Sequence, residues 1–192
     1  GVATRQSRRI GLLVEQLLEA AKLDAGQVTV NVEPFPIGEL LQDVVQKFAL
    51  AARDCGVALE VDAMAAATMV SGDIALLERV LDNLIDNALR HTPIGGRVTV
   101  QSQPRGERVR VSVTDSGPGL TREEAERAFK RFYRGDPGRS THSGQSGLGL
   151  AIVKSILELH GSDVAVESQP GHGASFYFEL PIVTQPPRTA PT

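Results

Sequence analysis

Val109, Val111 and Val113 alternate with polar residues over residues 108–114, and Val98 and Val100 do the same over 97–102. A period of two puts the valines of each strand on one face and leaves the other face polar. A sheet written this way is half-buried, covered by helices on one side. A covering helix stands directly upstream. Leu77, Val80, Leu81, Leu84 and Ala88 form an apolar stripe, and Asp73 after Gly72 is a suitable N-cap for a helix ending near Arg90. The remaining elements extend the scheme. Helices are expected over 38–54 and 148–160, with strands at 28–33, 57–61, 68–71, 163–168 and 174–180. That order predicts an α+β fold, a two-layer sandwich with a mixed sheet and helices on one face.

The ends of the chain read differently. Residues 4–24 form an amphipathic helix in which Ile10, Leu13, Leu17 and Ala20 recur at spacings of three and four, with Leu12, Leu18 and Ala21 widening the stripe. Such a helix needs company, from the domain, a missing hairpin partner or a second copy of the chain. Asp24-Ala25-Gly26 stops it. Residues 1–26 are therefore set apart from a domain over 27–183, and 184–192 read as a disordered tail. At 192 residues with 41% apolar content and a net charge of −3, the chain suits a soluble globular protein and offers no reason to bind nucleic acid. The single cysteine, Cys55, allows no internal disulfide and is expected as a small buried hydrophobe. No apolar run approaches the roughly 20 residues of a membrane span, and no signal peptide is visible. The abrupt helical start suggests a piece of a longer protein.

Four blocks carry chemistry. Asn83-Leu-Ile-Asp-Asn87 places two amides one turn apart on the border of the long helix, with Arg90 and His91 beyond them. Solvated side chains explain one such pair equally well. Asp115-Ser-Gly117-Pro-Gly119 sets a carboxylate in a glycine turn, where it can accept a hydrogen bond from an exocyclic amine, although turn acids after strands are common. Gly144-Gln-Ser-Gly147-Leu148-Gly149-Leu150 supplies backbone N–H groups and then a helix N-terminus, which favours an anion. A plain linker would not start an apolar helix at once, as Leu148, Leu150, Ile152 and Val153 do. Phe129-Lys-Arg-Phe132-Tyr133-Arg134 interleaves aromatics with cations in the long 116–146 stretch, a length typical of binding loops and lids. Together the blocks offer a metal ligand, a base-reading carboxylate and a phosphate cradle.

In this order the blocks resemble the catalytic, ATP-binding domain of sensor histidine kinases. Asn83–Thr92 is similar to the N box, Asp115–Gly119 to the first glycine box, Phe129–Arg134 to the F box and Gly144–Leu150 to the second glycine box. Gly171-His-Gly173-Ala-Ser175-Phe176 through Leu180-Pro181 also fits. The resemblance covers about 30–181, and Glu19-Ala-Ala-Lys-Leu-Asp-Ala-Gly26 is similar to the second helix of the family's dimerisation hairpin. It implies ATP and Mg²⁺ as ligands. Asn87 would hold the metal and Asn83 would support the phosphate–metal end. Arg90, where lysine is frequent, would reach toward phosphate, and His91 would flank the nucleotide. Asp115 would read the adenine amine, with Gly117 and Gly119 letting the base approach. Tyr133 and Arg134 would belong to the lid. Gly144, Gly147, Leu148, Gly149 and Leu150 would hold the polyphosphate. Asn83, Asn87, Arg90 and Arg134 form the implied catalytic set.

Related ATPases of the wider superfamily carry glutamate where Asn83 stands. An amide cannot take a proton from water, so transfer to an acceptor is favoured over hydrolysis. The family's acceptor histidine lies on the first hairpin helix, and none of His91, His142, His160 and His172 has its context. The expected function is thus the donor half of a histidine kinase, which passes the γ-phosphoryl group to a histidine elsewhere for relay to a response regulator. The parent would be a homodimer anchored in the inner membrane with this part in the cytoplasm. The alternatives are a serine kinase of the anti-sigma-factor type and a non-catalytic nucleotide-sensing or dimerisation module.

Overall fold

The computed structural model describes residues 25–133 and 147–183, together with Gly11, Val14, Leu17, Leu18 and residues 20–23. Among them are strands β1 (Glu33–Pro36), β2 (Ala58–Ala63), β3 (Met69–Gly72), β4 (Arg97–Arg105), β5 (Arg108–Asp115), β6 (Val164–Ser168) and β7 (Ala174–Pro181). Helices are α1 (Ile37–Asp54), α2 (Ile74–His91), α3 (Arg122–Arg127) and α4 (Gly149–Leu159). The main sheet has the order β2-β4-β5-β7-β6. Its β2–β4 pair is parallel and the others are antiparallel, so the sheet is mixed. The valines of β4 and β5 are buried with Phe176, Phe178 and Leu180 of β7 against Leu41 and Val44 of α1, Leu77, Leu81, Leu84 and Ile85 of α2, and Ile152 and Ile156 of α4. The opposite face is polar, with the Arg110 guanidinium 4.0 Å above the Tyr177 ring and paired to Glu179. This is the expected two-layer α+β sandwich.

The first strand lies elsewhere than the alternation suggests. Residues 27–32 form no strand, and β1 begins at Glu33 and includes both Pro34 and Pro36. It pairs only with β3, in a small antiparallel sheet of two strands. Proline, which lacks an N–H, is tolerated in an edge strand of that kind. Cys55 also departs from expectation. It is exposed, because it caps the C-terminus of α1 ahead of a turn at Gly56 and not on the helix's inner face.

Local chemistry sets the other boundaries. Pro36 offers no capping side chain to α1, so the Ile37 and Gly38 N–H groups donate to the carbonyls of Thr68 and Ala66 instead. Asp73 caps α2, its Oδ1 accepting the Leu76 N–H at 3.1 Å. Thr121 and Glu124 form a reciprocal capping box on α3. In the N-terminal segment the described residues from Gly11 to Leu23 are helical. Ala20 and Leu23 are buried in the domain core, while Val14, Leu17 and Leu18 are exposed. Ile10, Leu12 and Leu13 of the predicted seam lie outside the described residues, as does the 184–192 tail.

Candidate nucleotide site

The predicted blocks converge along α2. Asn83 is half-buried, and its Nδ2 donates to the Arg79 carbonyl at 2.8 Å. Its Oδ1 faces the start of α4, where a β-carbon at Gly149 would lie 2.9 Å away. Asn87 sits one turn further along and is also half-buried. Arg90 is exposed, its Nε paired with Asp86 Oδ2 at 2.8 Å. At the C-terminal end of the helix a β-carbon at Gly117 would lie 2.6 Å from the His91 carbonyl oxygen. The buried Thr92 hydroxyl donates to the Ala88 carbonyl at 2.7 Å and closes the last turn. One rigid helix therefore meets the second glycine block at Asn83 and the first at His91.

Asp115, the last residue of β5, is buried, and its Oδ1 accepts the Gly117 N–H at 2.8 Å. Burial pushes its carboxyl above the ordinary aspartate range, and the opposing pull of the Gly117 and Ala174 backbone donors is smaller. The turn that follows is fixed by the β6–β7 hairpin. The Gly171 N–H donates to the Pro118 carbonyl at 2.7 Å, and the Leu120 N–H to Ser168 Oγ at 2.8 Å. Ser168 in turn donates to the Gly173 carbonyl at 2.6 Å. Gly119 adopts φ +68°, and a β-carbon there would strike the Gln169 carbonyl. A β-carbon at Gly173 would strike the Asp115 carbonyl. Ser168 was not foreseen from the sequence, and Gly173 stood only in the Gly171–Phe176 block of the family resemblance, with no role at the site.

The F-box segment leans on the second glycine block. The Phe132 N–H donates to the Gly147 carbonyl at 2.9 Å, and Gly147 has φ +69° with its absent β-carbon 2.8 Å from the Phe132 backbone. Phe132 itself is held at φ +57° and is 62% exposed. A bulky residue in that region carries about 1–2 kcal/mol of strain. Tyr133 is half-buried under the Arg127 guanidinium, 4.7 Å from its ring centre, and Phe129 packs edge-on against Phe176. Leu148 is buried, Leu150 is half-buried, and Leu148 offers no side chain to cap α4. Such a helix start presents backbone donors and the positive end of a dipole. The structure thus brings Asn83, Asn87, His91, Asp115, Gly117, Gly119, Tyr133, Gly147, Leu148, Gly149 and Leu150 into one region, with Arg90 turned to Asp86. Arg134 and Gly144 lie outside the described residues.

Among the described residues no three His, Cys, Asp or Glu side chains gather to hold a metal ion, and no helix is long and apolar enough to cross a membrane. Residues 72–184 match the model of the histidine kinase-, DNA gyrase B- and HSP90-like ATPase family. The chain belongs to this family. Among the family's curated members, the sensor-like histidine kinase SenX3 of Mycobacterium tuberculosis is 34% identical over 180 residues, covering 94% of this chain and 44% of SenX3. The chain thus spans less than half the length of that relative. The structure of full-length ShkA in complex with AMPPNP superposes with a TM-score of 0.83 at 30% identity, over 96% of this chain and 38% of ShkA. The histidine kinase ThkA, solved in complex with the response regulator protein TrrA, gives a TM-score of 0.76 at 26% identity, over 95% of this chain and 50% of ThkA. Within the ATPase family, then, the chain is an ATP-binding domain of the sensor histidine kinase kind, and its fold is that of their catalytic domains.

Proposed function

We propose that this chain binds ATP with Mg²⁺ and donates the γ-phosphoryl group to a histidine on a dimerisation hairpin outside it. The observation that carries this reading is Asn83. An amide, not a carboxylate, stands against Gly149 at the start of α4, so the position of α2 nearest that helix start brings no general base for water. Catalysis would then rest on positioning and charge stabilisation. The first N–H groups of α4, which no Leu148 side chain caps, would hold phosphate oxygens, while Gly147 and Gly149 let Phe132 and Asn83 close on that helix start. Asp115 accepts hydrogen bonds from backbone donors and would accept one more from the adenine amine. Asn87, with Asn83 beside it, would hold Mg²⁺, which would neutralise charge on the β- and γ-phosphates. Magnesium bound mainly by substrate phosphates and water needs few protein ligands, which suits a site with two amides. Arg90 would swing from its exposed partner Asp86 toward phosphate, a small cost for a surface pair, and Arg134 would join it from the lid.

The N-terminal segment fits the second helix of that hairpin, because Val14, Leu17 and Leu18 stay exposed while Ala20 and Leu23 join the core. The full protein would work as a homodimer at the cytoplasmic face of the inner membrane, with a response regulator as the final acceptor. The test mixes the chain with γ-labelled ATP, Mg²⁺ and a separate hairpin polypeptide that carries the acceptor histidine. Acid-labile label on the hairpin, with none on this chain, is expected. Asn87→Ala should lose at least tenfold in Mg²⁺-dependent ATP affinity, about 1.4 kcal/mol, and transfer should fall with it. Label released mainly as free phosphate would overturn the donor reading in favour of hydrolysis.

A further inference from the structure

The helices α2 and α4 run antiparallel and are tied at two points. Gly149 at the start of α4 meets Asn83, and His160 just past its end meets Asp73, just before α2. From Asp73 to Asn83 is ten residues and from Gly149 to His160 eleven, about 15 and 16.5 Å at 1.5 Å per residue. Between the ties lie Leu77, Val80, Leu81, Ile152, Val153 and Ile156, all buried. Apolar contacts of that kind allow packed helices to slide by small steps. The directional hydrogen bond between Asp73 and His160 does not.

The His160 tie is fully specified. Its Nε2 accepts the backbone N–H of Asp73 at 3.0 Å, and its Nδ1 lies 2.8 Å from the Ile156 carbonyl oxygen. One nitrogen must accept from an N–H and the other must donate to a carbonyl, so the ring is neutral with its proton on Nδ1. The ring lies against Gly72, where a β-carbon would come within 3.3 Å of Cδ2. The buried Asp73 holds two more groups. Its Oδ1 caps α2, and its Oδ2 accepts the Asn31 N–H at 2.8 Å from the segment that follows the N-terminal helix. Three parts of the chain therefore meet at one joint, at the opposite end of α4 from the proposed phosphate site.

We propose that His160 is a positioning residue for nucleotide binding. By fastening the C-terminal end of α4 to the residue before α2, it fixes the axial register of the two helices and so the seat of Gly147–Gly149 beside Asn83 and Asn87. This rests on the reading of those residues as the phosphate end of the site. The base end, at Asp115 and the far end of the β6–β7 hairpin, is held by the β5–β7 and β6–β7 ladders and is expected to move less when the helix slips.

The test compares His160→Phe, which keeps a ring but loses both bonds, with His160→Gln, whose Oε1 can replace Nε2 as acceptor. For each full chain, the dissociation constants of Mg-ATP and of adenosine are measured by calorimetry, with a thermal melt alongside. His160→Phe is expected to weaken Mg-ATP at least fivefold and adenosine less than twofold, and His160→Gln to recover most of the loss. A parallel loss for both ligands, or no recovery with glutamine, would reduce His160 to a stabilising residue and overturn the proposal. So would Mg-ATP affinity within twofold of the parent in His160→Phe. If the parent chain itself does not prefer Mg-ATP to adenosine, the phosphate-site reading fails and takes this proposal with it.

Discussion

Gly149→Ala should separate binding from folding. The new β-carbon would lie 2.9 Å from Asn83 Oδ1, and the next nearest atoms, at 3.7 and 4.0 Å, belong to the same side chain. No backbone stands in the way, so the asparagine can rotate aside. Alanine in place of glycine at a residue with compatible torsions favours the fold by about 0.4–1 kcal/mol, mainly by reducing the freedom of the unfolded chain. Asn83 would lose its 2.8 Å bond to the Arg79 carbonyl, which costs about 0.5–1.5 kcal/mol. The two nearly cancel, and at about 2–4 °C per kcal/mol the melting temperature should move by no more than about 4 °C. Binding has no such offset. On the proposed reading, a displaced Asn83 and a methyl group at the helix start would remove at least one charge-assisted bond to phosphate, about 1.5–3 kcal/mol. Affinity for Mg-ATP should fall about 10- to 100-fold. Gly147→Ala is the contrast. Its φ of +69° and the Phe132 backbone 2.8 Å from the added carbon make the residue strained whatever is bound, at about 1–2 kcal/mol, so its melting temperature should drop as well. Calorimetric titration and differential scanning on the same samples read both quantities. A Gly149→Ala chain that melts like the parent and binds Mg-ATP within twofold of it would refute the argument, leaving the Asn83–Gly149 contact as packing alone.

Asp115→Asn should weaken ATP at least tenfold, because the Gly117 and Ala174 backbone groups and the proposed adenine amine are all donors, while an amide has only one accepting atom. The raised carboxyl predicts that ATP affinity falls on acidification with a midpoint above the ordinary aspartate value of 3.8, and titrations across pH 4–7 should lose that limb in the asparagine variant. The same shift has a definite sign for stability. The folded form keeps the Asp115 proton longer than the unfolded one, so the fold loses stability as pH rises through that window, which melts over the same range can follow. Ser102→Ala removes a buried hydroxyl that has no partner among the described residues and should stabilise the fold by up to about 1 kcal/mol. A denaturant midpoint below that of the parent would show that the hydroxyl is bonded after all.

The layers were legible because period and capping are local. Valine alternation located β4 and β5, the stripe from Leu77 to Ala88 located α2, and Asp73 marked its start. The first strand was not, because β1 exists through its pairing with β3, and alternation at 28–32 says nothing about whether a partner is in reach. Cys55 misled in a similar way. Its composition favours burial, but its place after the last turn of α1 decides its exposure. The site divided along the same line. Asn83, Asn87, Asp115 and the glycines stand in short blocks that announce a turn or a helix face. Ser168 and Gly173 brace the Asp115 turn from across a strand pair, and His160 meets Asp73 from 87 residues away. Nothing near His160 in the sequence, beyond a helix stop at Gly161, names that partner.

Both glycine blocks take their bearings from α2, one at Asn83 and the other at His91. Distances that matter to a bound nucleotide are thereby internal to one rigid rod and the pieces packed on it. Such a module can be turned or carried through a large arc without retuning its grip on ATP. Its outer connection is the segment 27–32 ahead of β1, which forms no strand and touches the rod through the Asn31–Asp73 bond.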